Sequence, residues 1–164
     1  MRLEGDHAFD GPRPAVWDML LDPDVMARAL PGTERLERVA EDEYRGVMRV
    51  GVGPVTAGRY DVTVRIVDKA PPARYTMEID GRGALGFARG TAQVTLEEEG
   101  PERTRMRYAA DLQIGGKVAG VGQRLIESVS RSLTAQGLAA LNGELEARLA
   151  RRGKGAKPGP AEPA

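Results

Sequence analysis

The sequence predicts an α+β domain in which a curved antiparallel sheet of about seven strands wraps around one long C-terminal helix. Polar and apolar residues alternate through most of residues 2–114, which is typical of strands with one buried face. The links between these segments are as short as hairpin turns, which antiparallel strands allow and parallel strands do not. After Gly115-Gly116 the apolar period changes to that of a helix.

Two short helices are predicted directly after the first strand. That strand covers residues 2–9, and an apolar helical pattern follows at residues 15–20. Asp22 supplies an N-cap, and Pro23 a suitable first residue, for a second short helix. Its apolar pattern ends near Ala29.

The middle of the chain contains the other strands of the predicted sheet. Each has apolar residues at alternate positions, and Gly, Pro or acidic turns separate them. The segments are residues 44–52, 59–68, 74–80, 87–96 and 104–114, with residues 33–39 as a candidate for one more.

The long helix is predicted from an apolar stripe that runs from Val118 to Leu149. At 1.5 Å per residue such a helix is about 50 Å long, whereas seven strands at 4.8 Å spacing span roughly 30 Å. Its last turns therefore extend beyond the sheet unless Gly137 or Asn142-Gly143 ends it early. We expect residues 1–149 to form one domain and the Gly-, Pro- and Lys-rich residues 150–164 to be a disordered basic tail.

Composition excludes several classes of function. Lysine and arginine together number 24, as do aspartate and glutamate, and this balance argues against nucleic-acid binding. The chain has no cysteine and a single histidine, so thiolate chemistry is excluded and a metal site is not expected. Neither a membrane-spanning run nor a signal-peptide pattern is found, which predicts a cytoplasmic protein.

A cavity is expected between the helix and the sheet. One cylinder cannot fill a concave surface, and only 4% of the residues are aromatic. We expect inward-facing side chains of the strands and helices to form an apolar ligand-binding wall. These are Trp17, Leu20, Met48, Val50, Tyr60, Val62, Val64, Tyr75, Met77, Phe87, Met106, Tyr108, Leu112, Val121, Leu125 and Val129.

Four glycines at the start of the long helix need a reason, because each costs about 1 kcal/mol relative to alanine there. We expect this end of the helix either to pack closely against a neighbour or to move as a gate. The residues are Gly115, Gly116, Gly120 and Gly122.

Five segments carry a family resemblance: Val16-Trp17 with Asp22-Pro23, Leu30-Pro31-Gly32, residues 50–55, residues 86–90 and residues 115–125. In this order they resemble the family of the carbon monoxide dehydrogenase G protein (CoxG), which is part of the START-like (SRPBCC) helix-grip superfamily. The resemblance covers about residues 1–141. It implies a non-enzymatic accessory protein that carries a quinone-like lipid and attaches a molybdenum hydroxylase to the cytoplasmic membrane.

We therefore expect a hydrophobic small molecule, a quinone or prenyl lipid, as ligand, with no covalent cofactor. The resemblance implies a molybdenum hydroxylase of the carbon monoxide dehydrogenase type as partner. Basic residues at the C-terminus, such as Arg151 and Lys157, add the hypothesis of peripheral contact with the inner face of the cell membrane.

Two alternatives stay open. One is a cyclase- or aldolase-like enzyme of the same superfamily, which needs converging polar side chains such as His7, Tyr60 and Tyr108. The other is a ligand-free interaction module with a filled core. A packed interior would favour the second alternative.

Overall fold

The computed structural model describes residues 1–52 and 55–156 of the chain. The elements in chain order are β1 (Arg2–Phe9), α1 (Arg13–Leu20), α2 (Pro23–Ala29), β2 (Thr33–Ala40), β3 (Glu43–Val52), β4 (Val55–Ala70), β5 (Arg74–Gly83), β6 (Gly86–Gly100), β7 (Arg103–Gly115), a short 3₁₀ helix (Lys117–Val121) and α3 (Gln123–Ala156).

The seven strands form one antiparallel sheet in the order β1-β7-β6-β5-β4-β3-β2. Every neighbouring pair is antiparallel, and the candidate strand at residues 33–39 is the edge strand β2. The two short helices follow β1 as expected. The predicted fold class is confirmed.

The inner face of the sheet carries the alternate residues that the sequence pattern places there. In one row Tyr75 of β5 lies opposite Val94 of β6, which lies opposite Tyr108 of β7. In the next row Met77 precedes two alanines, Ala92 and Ala110. This second row is low, because alanine ends at Cβ.

Helix α3 is continuous over 34 residues, which corresponds to about 50 Å. Neither Gly137 nor Gly143 ends it, and it continues past the boundary expected at Leu149 to Ala156. Disorder from residue 150 was therefore wrong for residues 150–156. Two ion pairs hold this end against the α1–α2 region: Arg148 with Asp22 at 3.1 Å and Arg152 with Asp18 at 3.6 Å. Residues 157–164 and the Gly53-Pro54 turn lie outside the described residues.

The start of α3 differs from the expectation. The 3₁₀ helix precedes it, and Gly122, with a φ of 103°, separates the two. Close packing occurs only in the first pair of glycines: a Cβ on Gly115 would lie 2.3 Å from the Phe87 ring, and one on Gly116 2.5 Å from Gly86. A Cβ on Gly120 would have no heavy atom within 4 Å, so packing does not explain this glycine.

Two apolar clusters hold α3 to the sheet. The larger one joins α1, α2 and the C-terminal half of α3, and its fully buried members include Phe9, Met19, Leu96 and Leu145. The smaller one, centred on Val52, Val118 and Ile126, lies at the N-terminal end of α3. The two short helices are thus part of the main core.

Polar contacts fix α2 against α3. Arg28 of α2 forms a two-pronged contact with Glu144 of α3 at 2.8 and 3.1 Å. Asp22 caps α2 by accepting a hydrogen bond from the Asp24 N–H at 3.0 Å, and it also accepts one from Arg148 at 3.1 Å. A single carboxylate therefore both starts α2 and ties it to the long helix.

The Asp22 contact predicts a dependence of stability on pH. Burial raises the pKa of Asp22, but hydrogen bonds from Arg148 and the Asp24 N–H outweigh it and bring the pKa below its ordinary value of 3.8. The resulting stability is present above pH 3.8 and is lost as pH falls through the lowered pKa. We expect Asp22→Asn, which keeps the cap, to lose at most about 1 kcal/mol at neutral pH.

The measurement is urea unfolding of both proteins from pH 6 down to pH 3, the range that brackets the carboxylate titration. The difference between wild type and Asp22→Asn should shrink as the pH falls. Asp10→Asn, which alters a carboxylate that is 92% exposed, is the control. A difference that stays constant across this range would contradict the linkage.

A candidate ligand-binding cavity

A cavity of about 270 Å³ lies between α2, α3 and the inner face of the sheet. Its wall is almost entirely apolar and comes from three parts of the chain. The helical segments at the N-terminal end contribute Leu20, Leu21, Pro23, Met26 and Leu30, the sheet contributes Leu36, Tyr44, Val64, Tyr75, Met77, Ala92, Val94, Met106, Tyr108 and Ala110, and α3 contributes Thr134, Gly137, Leu138 and Leu141.

Small residues create this space. Ala92 and Ala110 lie side by side on the sheet, and Gly137 lies on the facing surface of α3. A Cβ on Gly137 would already be 3.5 Å from a methyl group of Leu30, so α2 approaches α3 closely at this point. The cavity is therefore the gap left where neither the sheet nor the helix projects a large side chain.

The size of the cavity limits what it can hold. A cavity of about 150 Å³ lined by aliphatic and aromatic side chains binds benzene, and sites for drug-sized ligands begin near 300 Å³. At 270 Å³ the present cavity suits a single or fused ring with a short aliphatic substituent. A long prenyl chain would not fit within it entirely.

Most polar groups of the wall are already hydrogen-bonded within the protein. The Tyr44 hydroxyl donates to the Leu21 carbonyl oxygen at 2.8 Å and accepts a hydrogen bond from Arg38 at 3.2 Å. The Thr134 hydroxyl donates to the Ser130 carbonyl oxygen at 2.8 Å. These groups secure the scaffold and leave little polar capacity for a ligand.

Tyr75 is the most deeply buried tyrosine of the wall, with 4% of its surface exposed. Its ring lies edge-on to the Trp17 ring, with centroids 5.4 Å apart and an interplanar angle of 77°. Burial raises the pKa of Tyr75 well above its ordinary value of 10.0. The side chain is thus a neutral hydroxyl at any physiological pH.

Six of the residues expected from the sequence line the cavity: Leu20, Val64, Tyr75, Met77, Met106 and Tyr108. Trp17 packs beside Tyr75 in the large core cluster without belonging to the wall. Whether these side chains contact a ligand stays a prediction.

The other expected residues lie elsewhere. Four belong to the small apolar cluster at the N-terminal end of α3: Val50, Val121, Leu125 and Val129. Met48, Tyr60 and Val62 occupy β3 and β4 outside the wall, and Leu112 borders a separate charged groove. The expectation treated the space under the helix as one continuous hollow, whereas the second cluster fills one end of it.

Phe87 was placed on the wrong face of the sheet. It is an odd number of residues before Ala92, so the period of two puts the two side chains on opposite faces. The structure pairs Phe87 with Arg82 and Gly115, and the Arg89 guanidinium lies 4.9 Å from its ring centroid.

The sequence reasoning missed the contribution of α2 and of the small residues. Met26 and Leu30 are four residues apart, on one side of α2, and this spacing was a usable signal. Ala92, Ala110 and Gly137 gave none, because a search for bulky apolar residues overlooks positions that matter by leaving room.

Converging catalytic groups are not found in the described wall. The His7 ring nitrogen Nε2 lies 2.9 Å from Asn142 Oδ1 at the surface, and Tyr60 lies outside the cavity. Within residues 1–52 and 55–156, no cluster of three or more possible metal-ligating side chains occurs. Over the same ranges, no helix has the length and apolar character needed to cross a bilayer.

The sheet order, the long C-terminal helix and the apolar cavity between them define a START-like helix-grip domain. Within this class, the profile of the carbon monoxide dehydrogenase G protein (CoxG) matches residues 5–146. The chain belongs to the CoxG family, as the sequence resemblance implied.

Solved structures agree with this assignment. A conserved protein from Geobacillus kaustophilus is 28% identical, with a TM-score of 0.83 over 89% of this chain and 95% of that one. The Zhui aromatase/cyclase from Streptomyces sp. R1128 (18% identity, TM-score 0.68, 91% and 95% coverage) shows the same fold. So does a START superfamily protein from Mycobacterium smegmatis (11%, 0.67, 88% and 97%). A comparison with curated proteins gave no match.

The cavity predicts that filling it abolishes binding of small apolar molecules. Ala92→Leu projects a side chain into the space, whereas Ala139→Leu adds the same atoms at an exposed position of α3. We expect the neutral fluorescent probe N-phenyl-1-naphthylamine to bind wild type and Ala139→Leu equally, and Ala92→Leu at least about tenfold more weakly. Fluorescence titration measures this, and equal binding to all three proteins would place the probe outside the cavity.

Proposed function

We propose that this protein is a non-catalytic carrier that holds a quinone or a related prenyl compound and couples a molybdenum hydroxylase, such as carbon monoxide dehydrogenase, to the membrane. The observation that carries the proposal is the apolar cavity under α3. Membership of the CoxG family supports the choice of partner.

The character of the wall supports an apolar ligand. Aliphatic side chains of α2, α3 and the sheet surround the space, and each buried CH₂ group of a ligand gains about 0.8 kcal/mol. A quinone ring with the first part of its chain matches a volume of 270 Å³. The rest of a long chain would extend beyond the wall.

The wall also supports a role without catalysis. General acid–base chemistry needs a positioned group whose pKa lies near the operating pH. The described wall contains tyrosines and one threonine but neither histidine nor carboxylate, and burial moves the pKa of Tyr75 away from neutrality.

Contact with a membrane is proposed for the C-terminal end of α3. Arg151 and Arg152 are exposed there, in the helical turns that extend beyond Leu149. Basic residues near an anionic bilayer contribute about 1 kcal/mol each, which supports weak and reversible attachment. Such attachment suits a protein that moves between an enzyme and a lipid pool.

Native mass spectrometry of protein purified from its own organism tests the carrier role. We expect a reproducible adduct of prenyl-quinone mass on the wild type. Ala110→Leu, which fills the cavity from the sheet side, should lack the adduct, and Ala139→Leu should retain it. A clean apoprotein mass for the wild type would overturn the carrier role.

Vesicle sedimentation tests the coupling role. Purified molybdenum hydroxylase from the same organism should pellet with anionic phosphatidylglycerol vesicles only when this protein is added. Replacing Arg151, Lys154 and Lys157 by glutamine should reduce pelleting severalfold, because three charges near the bilayer are removed. Pelleting of the hydroxylase that does not depend on this protein would contradict the coupling role.

A further inference from the structure

The Tyr75 hydroxyl differs from the other hydroxyls of the cavity wall. Tyr44 and Thr134 direct their hydroxyl protons to backbone carbonyl oxygens. Tyr108 is half-buried, and its hydroxyl lies against Gly5 of the edge strand β1. Tyr75 has only 4% of its surface exposed, and among the described residues its hydroxyl has no hydrogen-bond partner.

An unpaired hydroxyl in an apolar interior is costly, since it gives up its bonds to water. The ring cannot readily turn away, because the edge of Trp17 lies against it and its strand is paired on both sides. The cavity next to the ring is the space from which a partner could come.

We propose that Tyr75 donates a hydrogen bond to a carbonyl, ether or hydroxyl oxygen of the bound molecule and so selects oxygenated rings over hydrocarbons of similar shape. This inference rests on the proposed carrier function and adds the chemical group that is recognised. Burial keeps the pKa of Tyr75 high, so the hydroxyl stays a proton donor and its partner must be an acceptor.

The rest of the wall explains why one hydrogen bond is enough for selection. Apolar contacts favour a quinone and a hydrocarbon of the same shape almost equally. A site that hydrogen-bonds an oxygen discriminates against a ligand without it, because the buried donor is then left unpaired. A single buried donor in an apolar wall therefore sets specificity without setting most of the affinity.

Isothermal titration calorimetry with 1,4-naphthoquinone and naphthalene tests the inference. We expect Tyr75→Phe to bind naphthoquinone roughly tenfold more weakly than wild type and naphthalene with unchanged affinity. Tyr108→Phe, the matched control, should leave both affinities unchanged. In infrared difference spectra, the quinone carbonyl stretch should be lowered by wild type but not by Tyr75→Phe.

Equal weakening of both probes in Tyr75→Phe would mean that the residue only shapes the wall, and would overturn the inference. Unchanged naphthoquinone binding would do the same while leaving the carrier function intact. If neither probe bound to wild type, the proposed carrier function would fail together with the inference.

Discussion

The structure depends on the packing of one helix across a curved sheet. The C-terminal half of α3 is anchored by Leu141 and Leu145, which are 4% and 2% exposed and contact the core that α1 and α2 complete. The N-terminal end is held by the separate cluster around Ile126. Because these two attachments fix both ends of the rod, the sheet between them can curve away without the helix following it.

The cavity is a consequence of this two-point attachment combined with small residues. Folding normally eliminates voids, since unfilled space forfeits dispersion contacts. Here the row of Met77, Ala92 and Ala110 stays low beneath the helix, and Gly137 adds nothing from above. The protein accepts the lost contacts at this place, and a ligand that occupies the space restores them.

The sequence predicted the elements well because each has a local signal. Alternation located the strands, and the Asp22-Pro23 pair located α2 at its observed start. The site was predicted less well, since a wall depends on which distant residues meet. Periodicity assigned Tyr75 and Met77 to the correct face, but it did not show that α2 closes over them. Phe87 was misplaced although its parity was readable. The extension of α3 to Ala156 depends on ion pairs with Asp18 and Asp22, which sequence spacing does not reveal.

Residues from both ends of the chain share one wall: Leu20 and Met26 face the same space as Leu138 and Leu141. On a ribosome the first pair emerges long before the second, so the space is open to water until almost the whole domain has been synthesised. Loading with ligand is therefore an event of the finished protein and not of its nascent chain. A ligand present at that moment binds the native state alone and shifts the folding equilibrium toward it.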